Sequence, residues 1–224
     1  MQAVIFCAGR GTRFKEITNK TPKSLLLVQN KPILGHILNE LPPAIDEIFL
    51  VVGYLQQQIK DYVKNKFSDL NIQYIEQKKL NGTFPALALC APHLHDNPFL
   101  VLGGDDLIKK SDIEKIISYP LALGIQKQKP KNEKMLSTLI DAQGYFKGFE
   151  KVKNLEEEVC IATGTYVLNK KIFEYKPVQL QSGEYGLPQT IALMAKNTTI
   201  HTVIMPSWFQ INTPEDLQRA HSKS

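Results

Sequence analysis

No run of this chain approaches the ~18 consecutive apolar residues that a membrane-crossing helix requires. No basic, apolar leader precedes its first strand-like segment, because Met1-Gln2 leads straight into it. Cysteine is scarce. Cys7, Cys90 and Cys160 stand at spacings that suit no metal site, and an odd count without a leader is expected of free thiols in a reducing compartment. The chain is therefore expected to be cytoplasmic and to have no membrane partner. The five histidines are scattered over unrelated segments and offer no metal cluster. Two common phosphate-binding signatures are missing as well. No Gly-x4-Gly-Lys-Ser/Thr loop is present, and the third glycine of a dinucleotide fingerprint is replaced by Phe14. An oxidoreductase of that kind is set aside on this ground.

The 224 residues are 43% hydrophobic and 22% charged, ordinary values for a globular protein long enough to bury a core. The net charge of +5 comes partly from lysine pairs such as Lys78-Lys79 and Lys109-Lys110. That mild excess is expected of a solvated surface, with no nucleic-acid partner, and it would also suit a phosphorylated small substrate. There is no internal repeat, low-complexity tract or clear linker, so residues 1–224 are expected to form a single domain.

Ala3 to Ala8 is a continuous apolar run closed by Gly9. Such a run reads as a strand buried on both faces. Glu47–Val52, Ile72–Ile75 and Phe99–Leu102 read the same way. Helical spacing follows Pro32 (Ile33, Leu34, Ile37, Leu38, Leu41) and recurs over Gln56–Phe67 and, more briefly, Pro85–Ala91. The alternation predicts right-handed βαβ units in an α/β, doubly wound, mostly parallel Rossmann-like sheet. Strands at Ala122–Gln126, Leu136–Asp141, Tyr145–Phe149, Ala162–Leu168 and Thr199–Met205, and a helix at Gly186–Ala195, make the second half less regular. Thr213 and Pro214 are expected to cap and open a last helix.

Ligands of open α/β sheets sit beyond the carboxyl ends of the strands. The first such end carries Gly9-Arg10-Gly11-Thr12-Arg13. Glycines there let backbone N–H groups reach phosphate oxygens, and Arg13 adds a planar cationic fork. Alone, a Gly-x-Gly is equally compatible with a tight turn. Ten residues after Arg13 stands Lys23, within Thr21-Pro22-Lys23, where Pro22 stiffens the approach of one ammonium group.

Residues 8–33, from Ala-Gly-Arg-Gly-Thr-Arg-Phe through Thr-Pro-Lys to Lys-Pro-Ile, resemble the signature of the sugar-1-phosphate nucleotidyltransferase family, the NDP-sugar pyrophosphorylases. The resemblance extends over nearly the whole chain. It implies a nucleotide-binding part at about 1–106 and a sugar-binding part with a small β lobe at about 107–224. It implies an enzyme that transfers a nucleotidyl group from a nucleoside triphosphate to a sugar 1-phosphate and releases pyrophosphate. Mg²⁺, replaceable by Mn²⁺, would be the cofactor.

Residue by residue, the resemblance makes Arg13 and Lys23 catalytic and places Ala8, Gly9, Gly11 and Thr12 on the triphosphate. Gln77, followed five residues later by Gly82 and then by Thr83, resembles the base site of members that use UTP or dTTP. Gly104, Glu150, Lys151 and Gly164 would hold the sugar phosphate. Asp105 matches the metal-binding aspartate, with Asp106 as the adjacent alternative.

The segment Ser207-Trp208-Phe209-Gln210-Ile211-Asn212-Thr213-Pro214-Glu215-Asp216-Leu217 departs from the pattern. Gln210 stands where the second metal-binding aspartate is usual, and Asn212 is the other candidate for that role. Some relatives that transfer CMP to phosphocholine carry an aspartate at the Asn212 position. Two further expectations therefore stand beside the first: a CTP-dependent cytidylyltransferase acting on a phospho-alcohol such as phosphocholine, and a weakly active or regulatory nucleotide-binding homologue. No β-helix extension follows, so no second acyltransferase activity is expected.

Overall fold

The computed structural model describes residues 1–133 and 135–222. In chain order its main strands are β1 (Gln2–Phe6), β2 (Glu47–Val52), β3 (Ile72–Glu76), β4 (Phe99–Gly103), β5 (Ala122–Gln128), β6 (Leu136–Ile140), β7 (Phe146–Lys151), β8 (Val159–Leu168) and β9 (His201–Ile204). The helices are α1 (Ile17–Lys20), α2 (Ile33–Asn39), α3 (Gln56–Lys66), α4 (Thr83–Ala88), α5 (Lys110–Ile117), α6 (Leu187–Met194) and α7 (Pro214–Ser222).

Seven strands form one sheet in the order β9-β5-β8-β4-β1-β2-β3. β1 runs parallel to β2 and β4, β2 to β3, and β5 to β9. β8 is antiparallel to both neighbours, β4 and β5. The sheet is thus mostly parallel, with one reversed strand joining its two halves.

The apolar runs explain the layering. Side chains alternate across a strand, so a run without polar interruption feeds both faces. Ala3, Ile5, Leu50 and Leu100 join one apolar cluster, and Val4, Phe49, Val51 and Val101 join the other. Ile33, Ile37, Ile59 and Ile113, from α2, α3 and α5, cover the first face. Phe84 and Leu87 of α4, with Leu187 and Ile191 of α6, cover the second.

β6 and β7 form an antiparallel hairpin outside the main sheet. The two-residue strand Phe209–Gln210 pairs with Asp106–Leu107 and returns the end of the chain to the centre. Thr213 Oγ1 accepts from the backbone N–H of Asp216 at 3.2 Å, and the Asp216 carboxylate accepts from the backbone N–H of Thr213 at 3.1 Å. This reciprocal capping starts α7 where the Thr-Pro pair predicts it. The polar stretch read as loop up to Lys23 contains α1 and two 3₁₀ turns, Thr12–Phe14 and Lys23–Leu25. No helix among the described residues is long and apolar enough to cross a membrane.

Candidate active site

A cleft of about 530 Å³ opens at the carboxyl ends of β1, β3 and β4. Its volume suits a nucleotide-sized ligand, and its position is where α/β sheets bind theirs. Phe6 to Gly9 form one wall and Gly103 to Asp106 another. Lys23, Gln77, Gly164 and Gln210 reach in from separate elements.

Lys23 links these elements. Its ammonium donates to the carboxylate of Asp105 and, at 3.1 Å, to Oδ1 of Asn212. Asn212 Nδ2 donates in turn to Oε1 of Gln210 at 2.5 Å. The backbone cooperates: Ile211 N–H donates to the Asp105 carbonyl at 3.0 Å, and Gln210 faces Asp106 in the short strand pair. One ammonium, one carboxylate and two carboxamides thus form a connected cluster. The Pro22 turn and the end of β4 hold it from opposite sides. The cation also lies 5.8 Å from the Phe14 ring centre.

Asp106, next in sequence, is of a different kind. It is 2% exposed. Burial first, and then the charge of Asp105, raise its carboxyl well above the usual carboxylate range, against smaller opposing effects of the Trp208 indole and Lys23. Two adjacent carboxyls in unlike surroundings divide their roles. Asp105 is the partly exposed partner that carries charge into the cleft, which favours it over Asp106 as a cation ligand.

A hard divalent cation takes oxygen ligands, and Mg²⁺ needs only one or two carboxylates where a triphosphate supplies further oxygens. Asp105, Gln210 and Asn212 are an oxygen-bearing set of that kind, and the Lys23 ammonium already lies against two of its oxygens. The residues fit Mg²⁺. Among the described residues no group of three or more His, Cys, Asp or Glu side chains competes as a site for a softer metal.

Also on the cleft wall, Gln77 Nε2 donates to the Gly82 carbonyl at 3.0 Å. That bond leaves the Gln77 carboxamide oxygen to a ligand. Gly82 has φ +117°, and a Cβ there would stand 2.2 Å from the Tyr185 carbonyl oxygen, so only glycine fits. Thr83 Oγ1 accepts from the Leu187 N–H at 2.9 Å, which ties α4 to the start of α6.

Ala8, Gly9, Gln77, Gly82, Thr83, Gly104, Asp105, Gly164 and Gln210 line the cleft, as does Lys23. Gly104 has a packing reason to be glycine, since a Cβ would meet the Phe6 carbonyl oxygen at 2.4 Å. Gly11, Thr12 and Arg13 stand beside the cleft and not in its wall, and Arg13 is exposed. Thr12 borders a second, smaller depression with Arg10 and Tyr54. Glu150 and Lys151, adjacent on β7, are exposed and also outside the wall. Sequence reasoning missed Glu184, Tyr185 and Gln189, which line the cleft, and Asp216, which holds the Asn212 backbone. Glu184, Tyr185 and Gln189 lie outside the segments on which the sequence reading of the site drew, and the Asp216 contact crosses a helix start.

The family model described as "Nucleotidyl transferase" matches residues 2–224. The chain is 31% identical over 224 residues to the bifunctional protein GlmU of Methanocaldococcus jannaschii, covering 99% of this chain and 53% of that protein. It spans about half the length of this and the other GlmU relatives from methanogens that it matches. It is 26% identical to the UTP–glucose-1-phosphate uridylyltransferase AglF of Haloferax volcanii, covering 100% of this chain and 96% of AglF. Its fold is that of a UDP-glucose pyrophosphorylase solved with UDP-glucose, with TM-score 0.82, 21% identity, and coverage of 99% of this chain and 97% of that one.

Proposed function

Because the chain belongs to the nucleotidyl transferase family, we propose that it transfers a nucleotidyl group from a nucleoside triphosphate to a sugar 1-phosphate, releasing pyrophosphate. UTP or dTTP is the favoured donor, and the product is an NDP-sugar. The observation that carries the reading is the Lys23–Asp105 pair, joined to Asn212 and Gln210, in a cleft whose wall also offers Gln77 and Gly82. The first cluster suits phosphates and the second suits a base edge.

An oxygen of the sugar phosphate attacks the α-phosphorus in line, the bond to the bridging oxygen breaks, and pyrophosphate departs. Such chemistry asks the protein for positioning and charge stabilisation and needs no covalent intermediate. Lys23 would stabilise charge on the α-phosphate. The loop from Ala8 to Thr12 would cradle the triphosphate, and Arg13, mounted on the exposed turn beside the cleft, would meet the departing pyrophosphate. Glu150 and Lys151 would serve the sugar phosphate from the β6–β7 hairpin, with Gly104 and Gly164 leaving room for it. Mg²⁺ or Mn²⁺, held by Asp105 with the amide oxygens of Gln210 or Asn212, would supply positive charge to the phosphates. The division at about residue 106, the cytoplasmic location and the absence of a nucleic-acid partner belong to the same reading.

The test is pyrophosphate release over a matrix of nucleotides and sugar 1-phosphates. CTP with phosphocholine belongs in the matrix, because it is Asn212, the position that carries aspartate in such cytidylyltransferases, that touches Lys23. Turnover with UTP or dTTP and a hexose 1-phosphate is expected. Turnover confined to CTP with a phospho-alcohol, or nucleotide binding without turnover anywhere, overturns the reading.

A further inference from the structure

The segment that carries Gln210 and Asn212 is anchored at both of its ends. Upstream, the backbone N–H and the hydroxyl of Ser207 donate to Oδ2 of Asp112 at 2.9 and 2.5 Å, and Gln126 Nε2 donates to the Trp208 carbonyl at 2.9 Å. Asp112 is itself buried, in the first turn of α5. Downstream, Oδ2 of Asp216 accepts from the backbone N–H groups of Asn212 and Thr213 at 3.0 and 3.1 Å. Between these anchors Asn212 keeps its Oδ1 on the Lys23 ammonium.

The other oxygen of Asp216 has two partners. Oδ1 accepts from Arg219 and, at 3.0 Å, from Lys131. Arg219 stands on α7 itself, three residues further on. A helix start asks for no more than this. The first oxygen meets the free N–H groups, and Arg219 gives a counter-charge to a carboxylate that is buried. Lys131 comes from 85 residues earlier in the chain. It stands on the loop that leaves β5 towards the β6–β7 hairpin, and Lys129 of the same loop pairs with Glu156, beyond the hairpin, at 3.0 Å. Capping of α7 does not explain Lys131. What Lys131 adds is a tie between that loop and the backbone of Asn212, made through one buried carboxylate.

Such a tie matters most where a side chain acts by direction. A carboxylate draws a cation through its charge, which acts over distance. A carboxamide oxygen offers only a dipole, so its effect depends on how it is aimed, and Mg²⁺ is strict about the geometry of its ligands. Gln210 and Asn212 are both carboxamides, joined to each other and to Lys23. Their usefulness therefore rests on the backbone that carries them. A misplacement of about 1 Å can cost a reaction of this kind a hundredfold.

We propose that Lys131 is a positioning residue for the reaction: through Asp216 it fixes the backbone at Asn212, so that the Asn212 carboxamide stays on Lys23. The inference rests on the nucleotidyltransferase reading and adds to it a residue outside the cleft wall. Lys131 touches no substrate. Its effect passes through Asp216 to Asn212, and a partner that orients a ligand-bearing residue in this way is typically worth about 10- to 100-fold in metal affinity or activity.

The experiment joins a double-mutant cycle to amide hydrogen exchange. Lys131→Met, Lys131→Arg, Asn212→Ala and the Lys131→Met/Asn212→Ala pair are compared with the unmodified chain. Lys131 is half-exposed and Arg219 stays on Asp216, so Lys131→Met is expected to fold, which its melting temperature checks. In the protein free of metal and substrate, the amides of Asn212 and Thr213 should exchange faster in Lys131→Met, with those of β1 and β4 unchanged. In turnover, kcat should fall about tenfold or more with KM for the sugar phosphate little changed, and Lys131→Arg should restore most of it. Equilibrium affinity for the Mg²⁺-bound triphosphate, which needs no turnover, is measured through the same cycle. Once Asn212 is alanine, Lys131→Met should cost nothing further in either quantity. Normal kcat in Lys131→Met, a loss that persists in full beside Asn212→Ala, or unchanged exchange at Asn212 and Thr213 overturns the inference and leaves the nucleotidyltransferase reading standing. An unmodified chain inactive on every substrate pair overturns both.

Discussion

Lys23 and Asp105, 82 residues apart in the chain, meet as an ion pair at the base of the cleft, and the same ammonium holds Asn212. If this pair stabilises the transferring phosphate, Lys23→Ala and Asp105→Asn each lower turnover by about a hundredfold or more, on the order of 3 kcal/mol. Their effects are less than additive when combined, because each removes the other's partner. Steady-state pyrophosphate release measures this. Near-normal rates in both single variants would remove the cluster from the mechanism.

Gln210 puts a neutral amide where a second carboxylate would give charge to a cation. EDTA is expected to abolish activity. Gln210→Asp is expected to lower the Mg²⁺ concentration needed for half-maximal rate, since a carboxylate adds charge where the amide adds a dipole. Initial rates against free Mg²⁺ decide it, and superimposable curves would place residue 210 away from the ion.

Asp216 is a buried carboxylate whose acid–base balance reports on the segment it holds. Burial alone would raise its pKa, but the Lys131 ammonium, the Asn212 backbone N–H and Arg219 outweigh burial and bring it down to about 2. A carboxyl lowered from its unfolded value of about 3.9 adds stability above that pH and loses it as pH falls towards the folded value. Asp216→Asn is therefore expected to be less stable than the unmodified chain at pH 7. The gap should close between about pH 4 and pH 2. Urea unfolding at stepped pH tests this, and a gap independent of pH would show that charge is not what the residue contributes.

Burial pushes the thiols of Cys7 and Cys90 up to about 12, whereas Cys160 is only half-buried. Thiolate is the reactive form. One thiol, Cys160, is expected to react quickly with a maleimide or disulfide reagent at pH 8 in the native chain, and all three after unfolding. Rapid labelling of Cys7 would mean that the cleft floor opens far more than its packing implies.

Much of the fold was legible because its signals are local. The run from Ala3 to Ala8 needs both faces covered, whatever covers them, and it forms β1. Pro32 and the spacing from Ile33 to Leu38 produce α2, and Thr213 with Pro214 opens α7. The reversed strand β8 was not legible. A buried strand has the same apolar pattern in either direction, and only the path of the preceding hairpin sets which way it enters the sheet. Lys23 and Asp105 were legible one at a time, each from its place after a turn or a strand. Gln189 and Asp216 were not, since a glutamine and an aspartate in the first turn of a helix are ordinary there.

The sequence by itself determined the α/β class, the glycine loop after the first strand and the chemical types available for a phosphate site, because strand burial, glycine freedom and side-chain charge are properties of short segments. Only the tertiary structure decided which residues meet. Lys23 joins Asp105 and Asn212, Asp106 is buried beside a charged neighbour, and Arg13, Glu150 and Lys151 stand outside the cleft wall. Contacts between residues distant in the chain depend on strand order, on loop paths and on the few ångströms over which a hydrogen bond or an ion pair forms. No local pattern records those distances.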